Sequence, residues 1–244
     1  LVRIAPLRRV TVIWFPQFRT HPPELTADGV AVEMEERKME IAIIGTGRMA
    51  RQLGMGWARA GHQIIFGSRN PQGKDALSQE VGNASVVEPA AAIAAAPVVV
   101  LAIPYTAVAP FAQHQAERLR DRLVIDISNP FEHLPDNRIA GAEVTAQAIG
   151  PGARVVAAFK DNFWQTLLEP DDSTFQIVRD VHYAGDDVDD KQIVTLLIEA
   201  LGFRPVDCGP LRNARVLDVM VPLMLELDRR YAGGKGKSSW KFLG

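Results

Sequence analysis

Six consecutive residues, Gly45-Thr46-Gly47-Arg48-Met49-Ala50, follow the apolar run Glu40–Ile44 and open a stretch with helical spacing. This is the G-x-G-x-x-A order that suits a dinucleotide pyrophosphate. Gly45 permits the tight turn, Gly47 lets the backbone approach the phosphates, and Ala50 is small enough for the helix to press against the strand. The amides from Thr46 to Met49 then face the anion along the favourable end of the helix dipole. After a second strand, Gln63–Phe66, comes Gly67-Ser68-Arg69-Asn70. An NAD-preferring protein would place an Asp or Glu here, to accept from the ribose 2′-hydroxyl. Ser68 and Arg69 instead offer a hydroxyl and a forked guanidinium, donors suited to the extra phosphate of NADP. Lys74 adds a second positive charge. The expected cofactor is NADP.

Two further strands end in Leu101-Ala102-Ile103-Pro104-Tyr105 and Asp126-Ile127-Ser128-Asn129-Pro130, at the carboxyl edge where open α/β sheets hold ligands. Ile103 and Pro104 are therefore expected to line the nicotinamide side. The five histidines, His21, His62, His114, His133 and His182, are scattered, and none is paired with a Ser or Cys in a nucleophile motif. The single cysteine, Cys208, allows no intrachain disulfide, and no Cys/His cluster has metal-ligand spacing. A reducing, cytoplasmic setting without a metal is expected.

The elements that must position these residues alternate in the manner of a parallel sheet covered on both faces. Strands are expected at Glu40–Ile44, Gln63–Phe66, Ser85–Val87, Val98–Ala102, Leu123–Asp126 and Arg154–Ala158, with helices over about 48–60, 72–81, 89–95, 106–119 and 138–148. The fold class is α/β, a Rossmann-type doubly wound sheet of about six strands over residues 39–159. From residue 160 to 244 a smaller C-terminal α/β lobe follows, expected to serve substrate binding and dimerisation. It has strands near 178–183 and 204–207 and a helix over 188–201. A last helix over 213–230 is apolar nearly all round, from Val216 to Leu227, and so must be covered on several sides, by its own lobe or by a second subunit. Residues 1–38, broken by Pro6, Pro16, Pro22 and Pro23, read as a poorly ordered N-terminal extension.

Lys and Arg total 27 against 29 Asp and Glu, a balance that argues against nucleic acid or an anionic membrane as partner. The longest apolar stretch, Ala90 to Ile103, is interrupted by Pro97 and falls short of the ~20 residues that a membrane span needs.

Several motifs lie outside the generic nucleotide fold: Gly67-Ser68-Arg69, Val155-Val156-Ala157-Ala158-Phe159, Ala184-Gly185-Asp186-Asp187 and Gly209-Pro210-Leu211-Arg212-Asn213-Ala214-Arg215. Together with the fingerprint, the Ala102-Ile103-Pro104 edge and the terminal Trp240-Lys241-Phe242-Leu243, they resemble the NADPH:coenzyme F420 (8-hydroxy-5-deazaflavin) reductase family, from Met39 to the end of the chain. The resemblance implies hydride transfer between NADPH and a deazaflavin held between the two lobes. It places Thr46, Gly47, Arg48 and Met49 on the pyrophosphate and Ser68 and Arg69 on the 2′-phosphate, with Lys74 a looser match. It also implies a homodimer.

The chain departs from the family after Phe159. Where relatives continue with Asn-Thr or His-Asn and small residues, this chain has Lys160-Asp161-Asn162-Phe163-Trp164. Phe163 or Trp164 is expected to offer an aromatic wall and Lys160 to complement charge on a reduced ring. Direct hydride transfer needs little acid–base machinery, so no catalytic residue is named from the sequence. A free flavin, imine or carbonyl substrate remains an alternative acceptor. A carbonyl or imine would require a proton donor, for which Lys160 and Asp161 are the first candidates. A non-catalytic NADP-binding sensor is the alternative from another class.

Overall fold

Ile41 and Ile43 pack into the core on one face of the central sheet, and Ala42 and Ile44 into the core on the other, because successive strand side chains point to opposite faces. A strand buried on both faces must be apolar throughout, as the first strand is. The computed structural model describes residues 38–131 and 139–243; apart from Lys38, the N-terminal extension lies outside the described residues, as do His21 and His133.

Six parallel strands stand in the spatial order β3-β2-β1-β4-β5-β6: β1 (Glu40–Ile44), β2 (Gln63–Gly67), β3 (Ala84–Val87), β4 (Val98–Leu101), β5 (Leu123–Asp126) and β6 (Arg154–Ala158). The chain winds one way from β1 through α1 (Arg48–Arg59) and the other way from β4 through α4 (Tyr105–His114). This reversal leaves a crevice at the carboxyl edge between β1 and β4. Helices α2 (Asp75–Val81) and α3 (Pro89–Ala95) carry the chain onward on either side of β3.

The sequence expects about six strands, and the sheet has eight. After a short antiparallel pair, β7 (Asp171–Asp172) and β8 (Ile177–Val178), the C-terminal part of the chain adds two strands to the β6 edge. Strand β9 (Asp180–Gly185) pairs antiparallel with β6, and β10 (Arg204–Asp207) pairs parallel with β9. Helix α7 (Val188–Glu199) connects them and accepts the Trp57 indole N–H of α1 on its Leu197 carbonyl at 2.9 Å. Strand β9 is buried along its whole length although it contains Asp180 and His182. Each has a partner. Asp180 takes Arg204 at 2.7 Å and also the ammonium of Lys241, and His182 takes Asp161 at 2.7 Å.

Three helices differ from expectation in their bounds. The turn at Pro71–Gly73, with Gly73 at φ +75°, delays α2 to Asp75. The stretch expected over 106–119 divides at Gln115 (φ −103°, ψ 12°), whose carbonyl accepts the N–H of Arg118 and Leu119 and starts the short α5 (Ala116–Leu119). Helix α6 (Gly141–Ile149) begins where Glu143 reaches back to accept the Ala140 N–H at 2.7 Å. The last helix, α8 (Ala214–Tyr231), buries Leu217, Val221 and Met224 on one face and leaves Val216, Leu223 and Leu225 exposed. The chain itself covers one face of this helix.

Beyond α8 the tail folds back onto the body. Asp228 accepts the N–H groups of Gly236, Lys237 and Ser238 and the Ser238 hydroxyl. Burial pushes the Asp228 carboxyl up, but these donors outweigh it and hold it below the ordinary carboxylate value.

Candidate active site

Gly45 sits at φ +117°, and a Cβ there would lie 2.4 Å from the Ala102 carbonyl oxygen, so no other residue fits this turn. Its N–H donates to the Gly67 carbonyl at 3.0 Å, while Ala102 N–H donates to the Ile44 carbonyl at 2.9 Å. The turn is thereby held between the ends of β2 and β4. Gly47 is different. Its φ of −75° suits any residue, and a Cβ would meet nothing within 4 Å. Nothing among the described residues requires glycine there, and the backbone is open to a group from outside. Helix α1 starts at Arg48 with no side-chain cap and no acidic residue in its first turn. Its first amides have donors to give, and no carboxylate repels an anion. The turn residues Thr46, Arg48 and Met49 surround this point, and they fit a pyrophosphate.

At the end of β2, Ser68 is buried and its hydroxyl accepts the Asn70 N–H at 3.2 Å. Arg69 is exposed and Lys74 half-buried just before α2, and neither makes an ion pair among the described residues. These two cations stand beside the mouth of the first βα turn with nothing in the described chain to neutralise them.

On the other side of the fingerprint lies a cavity of about 460 Å³. Met49, Ile103, Pro104 and Tyr105 line it from the β1 and β4 edges, Ile127 to Phe131 from β5, Lys160 and Asn162 to Trp164 from β6, and Val221, Met224 and Leu225 from α8. Of the residues the sequence points to, Ile103, Pro104, Lys160, Phe163 and Trp164 line this cavity, and Asp161 does not. Trp164 also receives the Arg48 guanidinium over its ring, 5.2 Å from the centroid. That cation–π contact ties the fingerprint turn to the segment that follows β6.

Lys160 follows Phe159, which closes β6 at φ 55° with its ring edge-on to Trp57. A bulky residue in that conformation is strained and persists only where its surroundings hold it. The Lys160 side chain is fully buried. Its ammonium donates to the Ser128 carbonyl at 2.6 Å, lies 2.9 Å from Asp218 Oδ1 without the angle of a hydrogen bond, and lies 3.9 Å from Asp126 Oδ1. Asp126 in turn accepts the Ser128 N–H and hydroxyl and the Thr145 hydroxyl. Asp218 accepts the Gly141 N–H at 2.8 Å.

Of the two proton donors suggested by the sequence, Lys160 therefore has its ammonium committed beneath the cavity floor, and Asp161 faces His182 away from the cavity. Burial pulls the His182 pKa down, but the bond and charge of Asp161 outweigh it and hold the imidazole above its ordinary value.

The sequence gives Tyr105 and Asp126 a place only as members of the strand ends on the nicotinamide side, and gives Asp218 none. Tyr105 and Asp126 stand at strand ends that the sequence marks as ligand edges, a signal that was present. Asp218 is seen only once α8 is placed, because it reads as one polar residue on an apolar helix.

Cys208 and His62 stand apart from this cavity. Cys208 is half-buried, and desolvation first, then the charge of Asp161, push its thiol up to about 11, so it stays protonated and a poor nucleophile. His62 is buried, accepts the Met39 N–H at 3.3 Å, and has its pKa lowered by that burial. Among the described residues no group of three His, Cys, Asp or Glu could hold a metal, and no helix is long and apolar enough to cross a membrane.

Comparison with known proteins agrees with this geometry. Residues 40–130 match the family described as NADP oxidoreductase coenzyme F420-dependent. The F420-dependent NADP reductase of Methanothermobacter thermautotrophicus is 31% identical over 217 residues, covering 79% of this chain and 90% of the relative. The rat metalloreductase STEAP3 is 29% identical over 82% of this chain, which spans 39% of that relative's length. A solved structure from Arthrobacter sp. FB24, assigned provisionally as an F420-dependent NADP reductase, superposes with a TM-score of 0.74 at 25% identity, covering 84% of this chain and all of the other. With nine-tenths of the methanogen reductase spanned at that identity, the chain belongs to the coenzyme F420-dependent NADP oxidoreductase family.

Proposed function

We propose that this oxidoreductase binds NADP(H) across the β1–β4 crevice and transfers a hydride between it and a deazaflavin of the coenzyme F420 type held in the cavity beside α8. The observation that carries the reading is the single path from fingerprint to cavity. Met49, two residues beyond Gly47, already lines the cavity that Ile103, Pro104, Phe163 and Trp164 complete. A pyrophosphate at Gly47 would place its two arms on opposite sides, the 2′-phosphate toward Ser68, Arg69 and Lys74 and the nicotinamide toward Ile103 and Pro104.

When bound, the nicotinamide supplies or accepts the hydride. The protein's part is alignment, for which positioning to ~3–3.5 Å is worth about 7–11 kcal/mol of barrier. Phe163 and Trp164 offer flat apolar surface to a planar acceptor. Pro104 and Pro130 stiffen the strand ends, and the apolar α8 wall keeps bulk water from the transfer.

Steady-state oxidation of NADPH with a panel of deazaflavin, flavin, imine and carbonyl acceptors tests the reading. Fastest turnover is expected with the deazaflavin. A preference for a flavin, imine or carbonyl would reassign the acceptor, and tight NADPH binding without consumption by any of them would favour a sensor.

A second copy of the chain is the partner proposed for α8. Val216 and Leu223, seven residues apart, are exposed on the helix that walls the cavity with Val221, Met224 and Leu225, and exposed apolar residues of this kind mark subunit contacts. Leu223→Glu should convert a dimer to a monomer in light scattering without lowering the thermal midpoint of the isolated subunit. Val221 is buried, so its substitution would confuse folding with association. A parent chain that is monomeric at micromolar concentration would contradict the dimer.

A further inference from the structure

Among the described residues lining the cavity, Lys160 and Tyr105 carry a titratable proton, and the Lys160 ammonium is already committed to Ser128 and Asp218. Tyr105 is not so engaged. It is the first residue of α4, directly after Pro104, and its half-buried ring makes no hydrogen bond among the described residues. A Cβ on Gly141 would lie 2.9 Å from Tyr105 Cε2 and 3.6 Å from Asp218 Oδ2. The tyrosine ring edge and the buried carboxylate therefore flank one point at the start of α6, and the glycine there is what admits the ring.

We propose that Tyr105 donates the proton that accompanies the hydride, and that Asp126, Lys160 and Asp218 beneath it are positioning residues. The role rests on the hydride-transfer reading above. It deepens that reading by requiring an acceptor whose C=N or C=O system gains negative charge as the hydride arrives. The C–H bond of the dihydronicotinamide breaks, its electron pair forms the new C–H bond on the acceptor, and the acceptor's π pair takes the phenolic proton onto nitrogen or oxygen. Water at the cavity mouth returns a proton to the phenolate.

The surroundings keep the proton available. Desolvation foremost, then the Asp218 charge, raises the Tyr105 pKa above its ordinary 10.0; Asp126 adds to this and Lys160 opposes it. On α6, Glu143 is engaged by Arg215 at 2.6 Å. A group held this way stays protonated through neutral pH and gives up its proton only to a strong developing base.

Tyr105→Phe keeps the ring on Gly141 and removes only the hydroxyl. With the best acceptor of the panel, kcat should fall about 100-fold or more, with NADPH affinity within twofold of the parent, and the alkaline limb of kcat/KM should disappear. In the cofactor-free protein, the alkaline phenolate absorbance of the parent minus that of Tyr105→Phe should show one phenol ionising above pH 10. Asp218→Asn should move that ionisation and the alkaline limb down together. An active parent whose Tyr105→Phe variant keeps both kcat and the limb would overturn the donor role and leave the hydride-transfer reading standing. A parent that consumes NADPH with no acceptor would overturn the reading and the role with it.

Discussion

Lys160→Met should lower stability by about 3–5 kcal/mol, because among the described residues it removes the cation facing two buried carboxylates, Asp126 and Asp218. For a chain of this length that is a fall in thermal midpoint of roughly 10 °C. Among the described residues, Asp126 keeps three hydroxyl and amide donors when the lysine is lost, whereas Asp218 keeps the Gly141 N–H. The cost should therefore fall mainly on Asp218, and Lys160→Met with Asp218→Asn should recover much of it. Differential scanning calorimetry of both singles and the double gives the coupling directly. Singles whose losses simply add would mean that the 2.9 Å contact carries no energy.

Arg69→Ala should weaken NADP binding about 10–100-fold while leaving NAD affinity nearly unchanged, since charge-assisted hydrogen bonds of this kind contribute about 1.5–3 kcal/mol. The guanidinium is exposed and makes no ion pair among the described residues, so its removal disturbs nothing in the fold. Calorimetric titration with both cofactors checks this, and the difference should shrink with added salt. Equal affinity of the parent chain for NADP and NAD would show that Ser68 and Arg69 do not meet a 2′-phosphate.

The central sheet was legible because its parallel strands announce themselves. Val98-Val99-Val100-Leu101 and Leu123-Val124-Ile125 are apolar on both faces, as buried strands must be. Strand β9 was not legible as part of that sheet, because Asp180 and His182 give it the look of a solvent-facing strand. Only the contributions of Arg204, Lys241 and Asp161, from distant parts of the chain, let it lie inside. The same reason separates the two halves of the site. The fingerprint turn is local, and its chemistry follows from the spacing of Gly45, Gly47 and Ala50. The Asp126–Lys160–Asp218 cluster joins three elements far apart in sequence, and none of its members has a neighbour pattern that reveals it. Lys160 illustrates the difference: the sequence shows a charged residue directly after Phe159, and only the fold shows its ammonium turned beneath the cavity floor.

The most direct test of hydride transfer across this cavity follows the hydrogen itself. NADPH deuterated at the transferring carbon is incubated with the protein and the deazaflavin, and the reduced acceptor is examined by mass spectrometry. Transfer between two rings aligned in one water-poor cavity predicts that the deuterium is recovered in the acceptor, in step with NADPH consumed. Deuterium lost to solvent, or NADPH bound and not consumed, would contradict it.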